Sequence, residues 1–185
     1  MMLTGTWGRR ARSVIAALAG STLLVACSGT STPEGWARVE QGWLAVDVPE
    51  DWVEVPEQAA GHLDLVLQDS EEDPTVQLVA STEYGDVPAG TTLVAVRTDR
   101  PFGELDDPGV FSDVERDDEQ ATKRWDFTYE DGEYRGVAWA THDAELGRTV
   151  FVAVTGSELG DETVQQIEES IEVLDGDPAE GPAGA

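Results

Sequence analysis

The chain has one cysteine, Cys27, one lysine, Lys123, and two histidines, His62 and His142, in 185 residues. Each shortage closes a class of function. A single thiol cannot form a disulfide within the chain, so stability has to come from a packed core. So few nitrogen and sulfur ligands disfavour a zinc site. Nucleophilic hydrolysis needs a serine or cysteine with a base in reach, and no Gly-x-Ser-x-Gly elbow precedes a helix. The two histidines read instead as titrating surface groups. There is no glycine-rich phosphate loop. Basic residues number 11 against 38 acidic ones, a formal net charge of −27. Such a surface is repelled by a phosphate backbone, which argues against a nucleic-acid partner. Long apolar runs are missing too. The stretch Val14–Ala26 is interrupted by Gly20, Ser21 and Thr22. It falls short of the roughly 20 residues that span a bilayer.

Acid is what the chain has in excess. Asp69, Glu71, Glu72 and Asp73 crowd one segment, and Asp113, Glu115, Asp117, Asp118 and Glu119 crowd another. Calcium takes six to eight oxygens converged by a turn, and neither run has the central glycine and closing glutamate of an EF-hand loop. They read as solvated loops, and no metal or other cofactor is expected. Paired carboxylates of the glycosidase kind need a deeper cleft than a chain this short builds. No catalytic residue is assigned, and the chain reads as a non-enzyme.

The first 26 residues have the layout of an export signal. Arg9, Arg10 and Arg12 give a positive start, Val14–Ala19 and Leu23–Ala26 an apolar stretch, and Ala26 a small residue before Cys27. Leu24-Val25-Ala26-Cys27 resembles the lipobox of bacterial lipoproteins. That resemblance implies cleavage between Ala26 and Cys27, a diacylglycerol (with the palmitate typical of such anchors) on Cys27, and a protein exported and held to the outer face of the cell membrane. Residues 27–34 then form a lipidated cysteine and short tether of linker composition. Removal of 1–26, which hold three arginines and no acid, takes the charge to −30. The membrane would be met through the lipid, not through a basic patch. Low lysine with abundant Ala, Gly, Asp, Glu and Val resembles the usage of actinobacteria. Residues 175–185 are Gly, Pro, Ala and acid, with nothing to bury, and read as a disordered tail.

Between 35 and 174 the hydrophobic period is mostly two. Strands are predicted at Trp43–Val48, His62–Gln68, Thr75–Thr82, Thr91–Thr98, Lys123–Glu130, Tyr134–Thr141 and Arg148–Thr155. Residues 101–121 read as a long acidic loop with at most one helical turn. One helix is predicted over 161–174, capped by Asp161, with Val164, Ile167, Ile171 and Leu174 on one stripe. Asp131-Gly132 predicts a tight hairpin turn that places Tyr129 opposite Tyr134, Phe127 opposite Gly136 and Trp125 opposite Ala138. The reverse face then pairs Arg124 with Trp139 and Asp126 with Val137. If that face is open, Val137 and Trp139 form a candidate contact patch.

Two segments resemble PsbP-like domains, a fold shared by the photosystem II extrinsic subunit and many actinobacterial lipoproteins. One is Gln41-Gly42-Trp43-Leu44-Ala45-Val46-Asp47-Val48-Pro49-Glu50-Asp51-Trp52, similar to the family's opening hairpin. The other is Arg148–Leu174, a strand, a Gly-Ser turn and a helix ending in Glu169-Ser170-Ile171-Glu172-Val173-Leu174. The resemblance implies an α+β domain over 35–174, an antiparallel sheet with the C-terminal helix packed on it. It also implies a non-catalytic protein that binds, or helps assemble, another envelope protein. The chain departs from the family between Trp52 and His62, where a long helix has no room. An alternative expectation is a carrier or sensor of a small apolar ligand, held in a cavity between sheet and helix.

Overall fold

The computed structural model describes residues 32–59, 61–99, 102–116 and 119–176. They lie in the Thr32–Ala185 unit of the chain. The expectations for 1–26, for Cys27 and for the tail beyond Gly176 fall outside the described residues.

An antiparallel sheet is the centre. Its strands are β3 (Val53–Glu54), β4 (Leu65–Gln68), β5 (Val76–Gly85), β6 (Leu105–Asp107), β7 (Phe111–Val114), β8 (Ala121–Tyr129), β9 (Tyr134–Asp143) and β10 (Arg148–Gly156). They run in the order β3-β4-β5-β10-β9-β8-β6, with β7 also on the outer edge of β8. A small sheet is built from β1 (Trp36–Gln41), β2 (Leu44–Pro49) and the two-residue β11 (Glu172–Val173). Two helices, α1 (Ala89–Asp99) and α2 (Asp161–Ser170), complete the fold.

The sheet is covered on both faces. On one, Leu78, Val137, Trp139, Val150, Val152 and Val154 pack under α2 and the small sheet. On the other, Trp125, Phe127, Ala138, Ala140, Phe151 and Ala153 pack under α1. Alternate residues of β9 and β10 therefore enter different cores. That explains why these strands read as nearly continuous apolar runs.

The hairpin β8–β9 has the predicted register at each pair, from Tyr129 opposite Tyr134 to Arg124 opposite Trp139. Asp131 and Gly132 both take positive φ, 57° and 80°, and the Glu133 amide donates to the Glu130 carbonyl at 3.1 Å. This mirror-image turn matches the twist of the strands it joins. At Gly136 a Cβ would lie 2.3 Å from the Phe127 ring, so the ring occupies the space a side chain would need. Phe127 in turn stacks on Trp125 at 4.3 Å.

Four expectations are corrected. Thr91–Thr98 is not a strand but most of α1. Its β-branched residues suggested a pleat, yet Ala89, Thr92, Leu93 and Val96 are the buried ones, a helical spacing. Packing on the alanine-lined face outweighs local preference here. Residues 101–121 are not wholly a loop, since β6 and β7 lie within them, paired to β8. The second helix ends at Ser170, not 174. Ile171 turns extended (ψ 126°), and Glu172–Val173 pairs with β2. The Gln120 side chain holds that short strand by both backbone groups of Val173. Its NH2 donates to the Val173 carbonyl at 2.9 Å, and its oxygen accepts from the Val173 amide at 3.0 Å. Nor does Asp161 cap the helix by its side chain. Gly160 stands at the cap, and Asp161 is the first helical residue.

Between Trp52 and His62 there is one 3-10 turn, Pro56–Gln58, as the short spacing required.

Three substitutions and a truncation probe this packing. Gly136→Ala should cost about 1–3 kcal/mol by overpacking against Phe127, and Phe127→Leu should recover part of that loss in a double-mutant cycle by urea unfolding. Ile167→Asp places a charge where no surface is exposed. Its thermal melt should fall far below the parent or vanish, whereas truncation after Gly176 should melt like the parent.

Candidate functional site

A chain of charges runs across the α2 face of the sheet. Arg124 on β8 donates twice to Asp126, both at 2.7 Å, and once to Glu168 of α2 at 2.9 Å. The same Glu168 oxygen accepts the indole N–H of Trp139 at 2.7 Å. Arg135 on β9 reaches Asp161 at 2.5 Å and lies 3.9 Å from Asp126. Hydrogen bonds to Asp126 and Glu168, outweighing desolvation, hold the Arg124 guanidinium well above its already high value. Arg135 lowers the Asp161 carboxyl below the usual range. These groups clip both ends of α2 to the sheet. They are paired with one another.

Val137 and Trp139 are not a contact patch. Both have no exposed surface, because α2 lies over them and Glu168 takes the indole proton. Val137, Trp139, Val152 and Ile167 meet at the sheet–helix interface, each without exposed surface. A cleft of about 430 Å³ opens elsewhere, at the end of α1, lined by Arg97, Thr98, Gly103, Glu104, Leu105 and Pro108. Arg97 lies over the Phe111 ring at 4.6 Å.

The histidines stand apart. His62 is exposed and 6.1 Å from the Tyr84 ring. His142 is not the surface group its sequence position suggested. Its side chain is 14% exposed, and Nδ1 contacts the Thr149 hydroxyl at 2.9 Å. That hydroxyl donates to the Val87 carbonyl just before α1. Among the described residues no group of three or more acidic, histidine or cysteine side chains is arranged to hold a metal. The first acidic run is a turn in which Asp69 accepts from Thr75. In the second, Asp113 pairs with Lys123.

A second set of ties joins the small sheet. Arg38 reaches Glu172, Glu40 at 3.4 Å and Asp47 at 3.6 Å. Arg148 donates to the Leu174 carbonyl at 2.8 Å and lies 5.2 Å from the Trp43 ring. Sequence reading missed the ties of Arg38 to Glu172 and of Arg148 to Leu174 and Trp43 because those partners are far apart along the chain.

No family model matches the sequence, and no curated protein does. Solved structures do resemble the fold. The solution structure of cyanobacterial PsbP (CyanoP) from Synechocystis sp. PCC 6803 aligns with a TM-score of 0.56 at 16% identity, over 82% of this chain and 99% of that one. A point mutant of the protein Mog1 aligns with a TM-score of 0.45 at 11% identity, over 76% of this chain and 96% of that one. The fold is PsbP-like, an α+β antiparallel sheet with the C-terminal helix packed on it.

Two outcomes follow from the site. Glu168→Ala removes the acceptor of a buried indole and one partner of Arg124, and should cost about 1–3 kcal/mol. Glu168→Gln, which keeps an acceptor, should cost less, and the Ala penalty should shrink in a Trp139→Phe background, read by urea unfolding. Burial raises Tyr129, with Glu130 and Tyr134 adding to it against a hydrogen bond from Thr155, and burial with Asp99 raises Tyr84. A raised folded-state value contributes stability fully present below the unfolded pKa of about 10 and lost as pH rises through the folded one. Melting temperature should therefore fall above pH about 10, and Tyr129→Phe should flatten that fall.

Proposed function

We propose that the protein is a membrane-anchored cell-envelope lipoprotein whose PsbP-like domain is non-catalytic and binds, or helps assemble, another envelope protein. The observation that carries the location is Leu24-Val25-Ala26-Cys27 behind a charged and apolar leader. Cys27 takes the lipid after cleavage at Ala26, and a diacyl anchor holds stably where a single chain would not. No helix among the described residues is long and apolar enough to cross a membrane.

The binding reading is supported by what the fold does with its side chains. The sheet–helix interface is filled, and the arginines and carboxylates on its α2 face are tied to one another. A protein partner would then meet the outer surface. With so strong an excess of acid, a partner presenting a basic face would be steered to it.

Intact-mass analysis of the membrane fraction checks the anchor. The expected species starts at Cys27 and carries diacylglycerol, and Cys27→Ala should release the protein from membranes or leave it uncleaved. A mature N-terminus elsewhere, or an unmodified Cys27, would overturn the anchor. Proximity labelling from the anchored protein checks the partner. The expected result is an envelope protein enriched over a lipoprotein control with an unrelated domain, and equal labelling by both would overturn partner binding.

A further inference from the structure

We infer that the end of the domain carrying Trp36, Trp52 and Val53 is the face held against the bilayer, with the two indoles seated at the headgroup boundary; this rests on the lipid-anchor reading. Thr32 follows Cys27 by five residues, which bounds their separation at roughly 18 Å for an extended chain. The end of the domain at which the chain enters therefore stays near the anchor.

That end is well defined. Trp36 stands opposite Pro49 in the small sheet. The Glu50 amide donates to the Gly35 carbonyl at 3.0 Å, and the Trp52 amide to the Pro49 carbonyl at 3.1 Å. Residues 35–36 and 49–53 are thus gathered together. Both indoles are half-buried with one side packed against the core. Val53 beside them is 36% exposed.

The tryptophans divide by their N–H groups. Those of the buried Trp125 and Trp139 donate to the Pro108 carbonyl and to Glu168. Among the described residues, those of Trp36, Trp43 and Trp52 have no protein acceptor, and of these three Trp36 and Trp52 stand at the end where the chain enters. An apolar ring with a free N–H at its rim suits a membrane interface, where one side is apolar and the other wet. Glu34, Glu50, Asp51 and Glu54 flank the site with exposed carboxylates. The contact is therefore an apolar one with a zwitterionic headgroup layer, and an anionic layer weakens it.

The test supplies the anchor chemically. Every core residue lies between Leu44 and Val173, so a protein starting at Cys27 keeps both cores. Its one thiol is coupled to a maleimide lipid in vesicles of phosphatidylcholine brominated near the headgroup end of the acyl chains. Tryptophan emission should be quenched. Trp36→Phe/Trp52→Phe should lose most of that quenching while melting near the parent, and Trp43→Phe should keep it. Should the double variant unfold, the single variants each carry part of the loss. Quenching should fall in phosphatidylglycerol vesicles at low salt. An unquenched parent, a double variant quenched like the parent, or stronger quenching in phosphatidylglycerol would overturn the inference. Because the anchor is installed by coupling, none of these outcomes depends on whether Cys27 is lipidated in cells, which the intact mass decides separately.

Discussion

Two-sided burial of β10 is the constraint from which the rest of the structure follows. From Thr149 to Val154 no residue of this strand has exposed surface. A central strand with both faces dry needs a cover on each side, and the chain builds two different ones. The face bearing Val150, Val152 and Val154 takes α2 and the small sheet. The face bearing Phe151 and Ala153 takes α1 and the rings of Trp125 and Phe127. The alanines at 138, 140 and 153 leave the depth that a helix and two stacked rings require. At Gly136 even a methyl group would not fit. Large against small across the ladder is what closes this core, since packing at interior density leaves no slack.

The hairpin was legible in the sequence because that rule operates locally. Asp131-Gly132 sets the turn, and ring-against-glycine pairing then fixes which residue faces which. The helix α2 was legible for a related reason, since Val164 and Ile167 alternate with glutamates at helical spacing. The first helix was hidden because Val94 and Val96 fit a pleat as well as they fit a helix. Only the tertiary context, an alanine-lined face waiting for cover, decides between them. The end of α2 was hidden in the same way. Ile171 continues the helical stripe, but the edge of β2 and the side-chain amide of Gln120 offer Val173 a ladder instead. The acidic 101–121 stretch looked like loop by composition, yet the open edge of β8 recruits two short strands from it.

Val137 and Trp139, paired with Asp126 and Arg124, form a contact patch only if their face of the sheet is open, and it is closed. In the fold those same charges reach over the apolar residues and fasten α2 above them. The polar partners of a buried face marked a lid, not solvent.

The few cations show how so acidic a chain stays compact. Arg38, Arg124, Arg135 and Arg148 each join segments distant in sequence. Arg38 ties β1 to Glu172, Arg124 and Arg135 tie β8 and β9 to α2, and Arg148 ties β10 to the Leu174 carbonyl. Exposed pairs of this kind are individually weak. Arg124 and Glu168 are mostly shielded, each about one-fifth exposed, and share the Trp139 proton, so salt screens them less than it screens surface repulsion. The positive charge is therefore concentrated on fastening the covers, while the acidic excess faces outward. Uncompensated surface acid opposes the compact state. A core dry on both sides is what allows the fold to carry it, and with no disulfide available within the chain, those two covers are where its stability must lie.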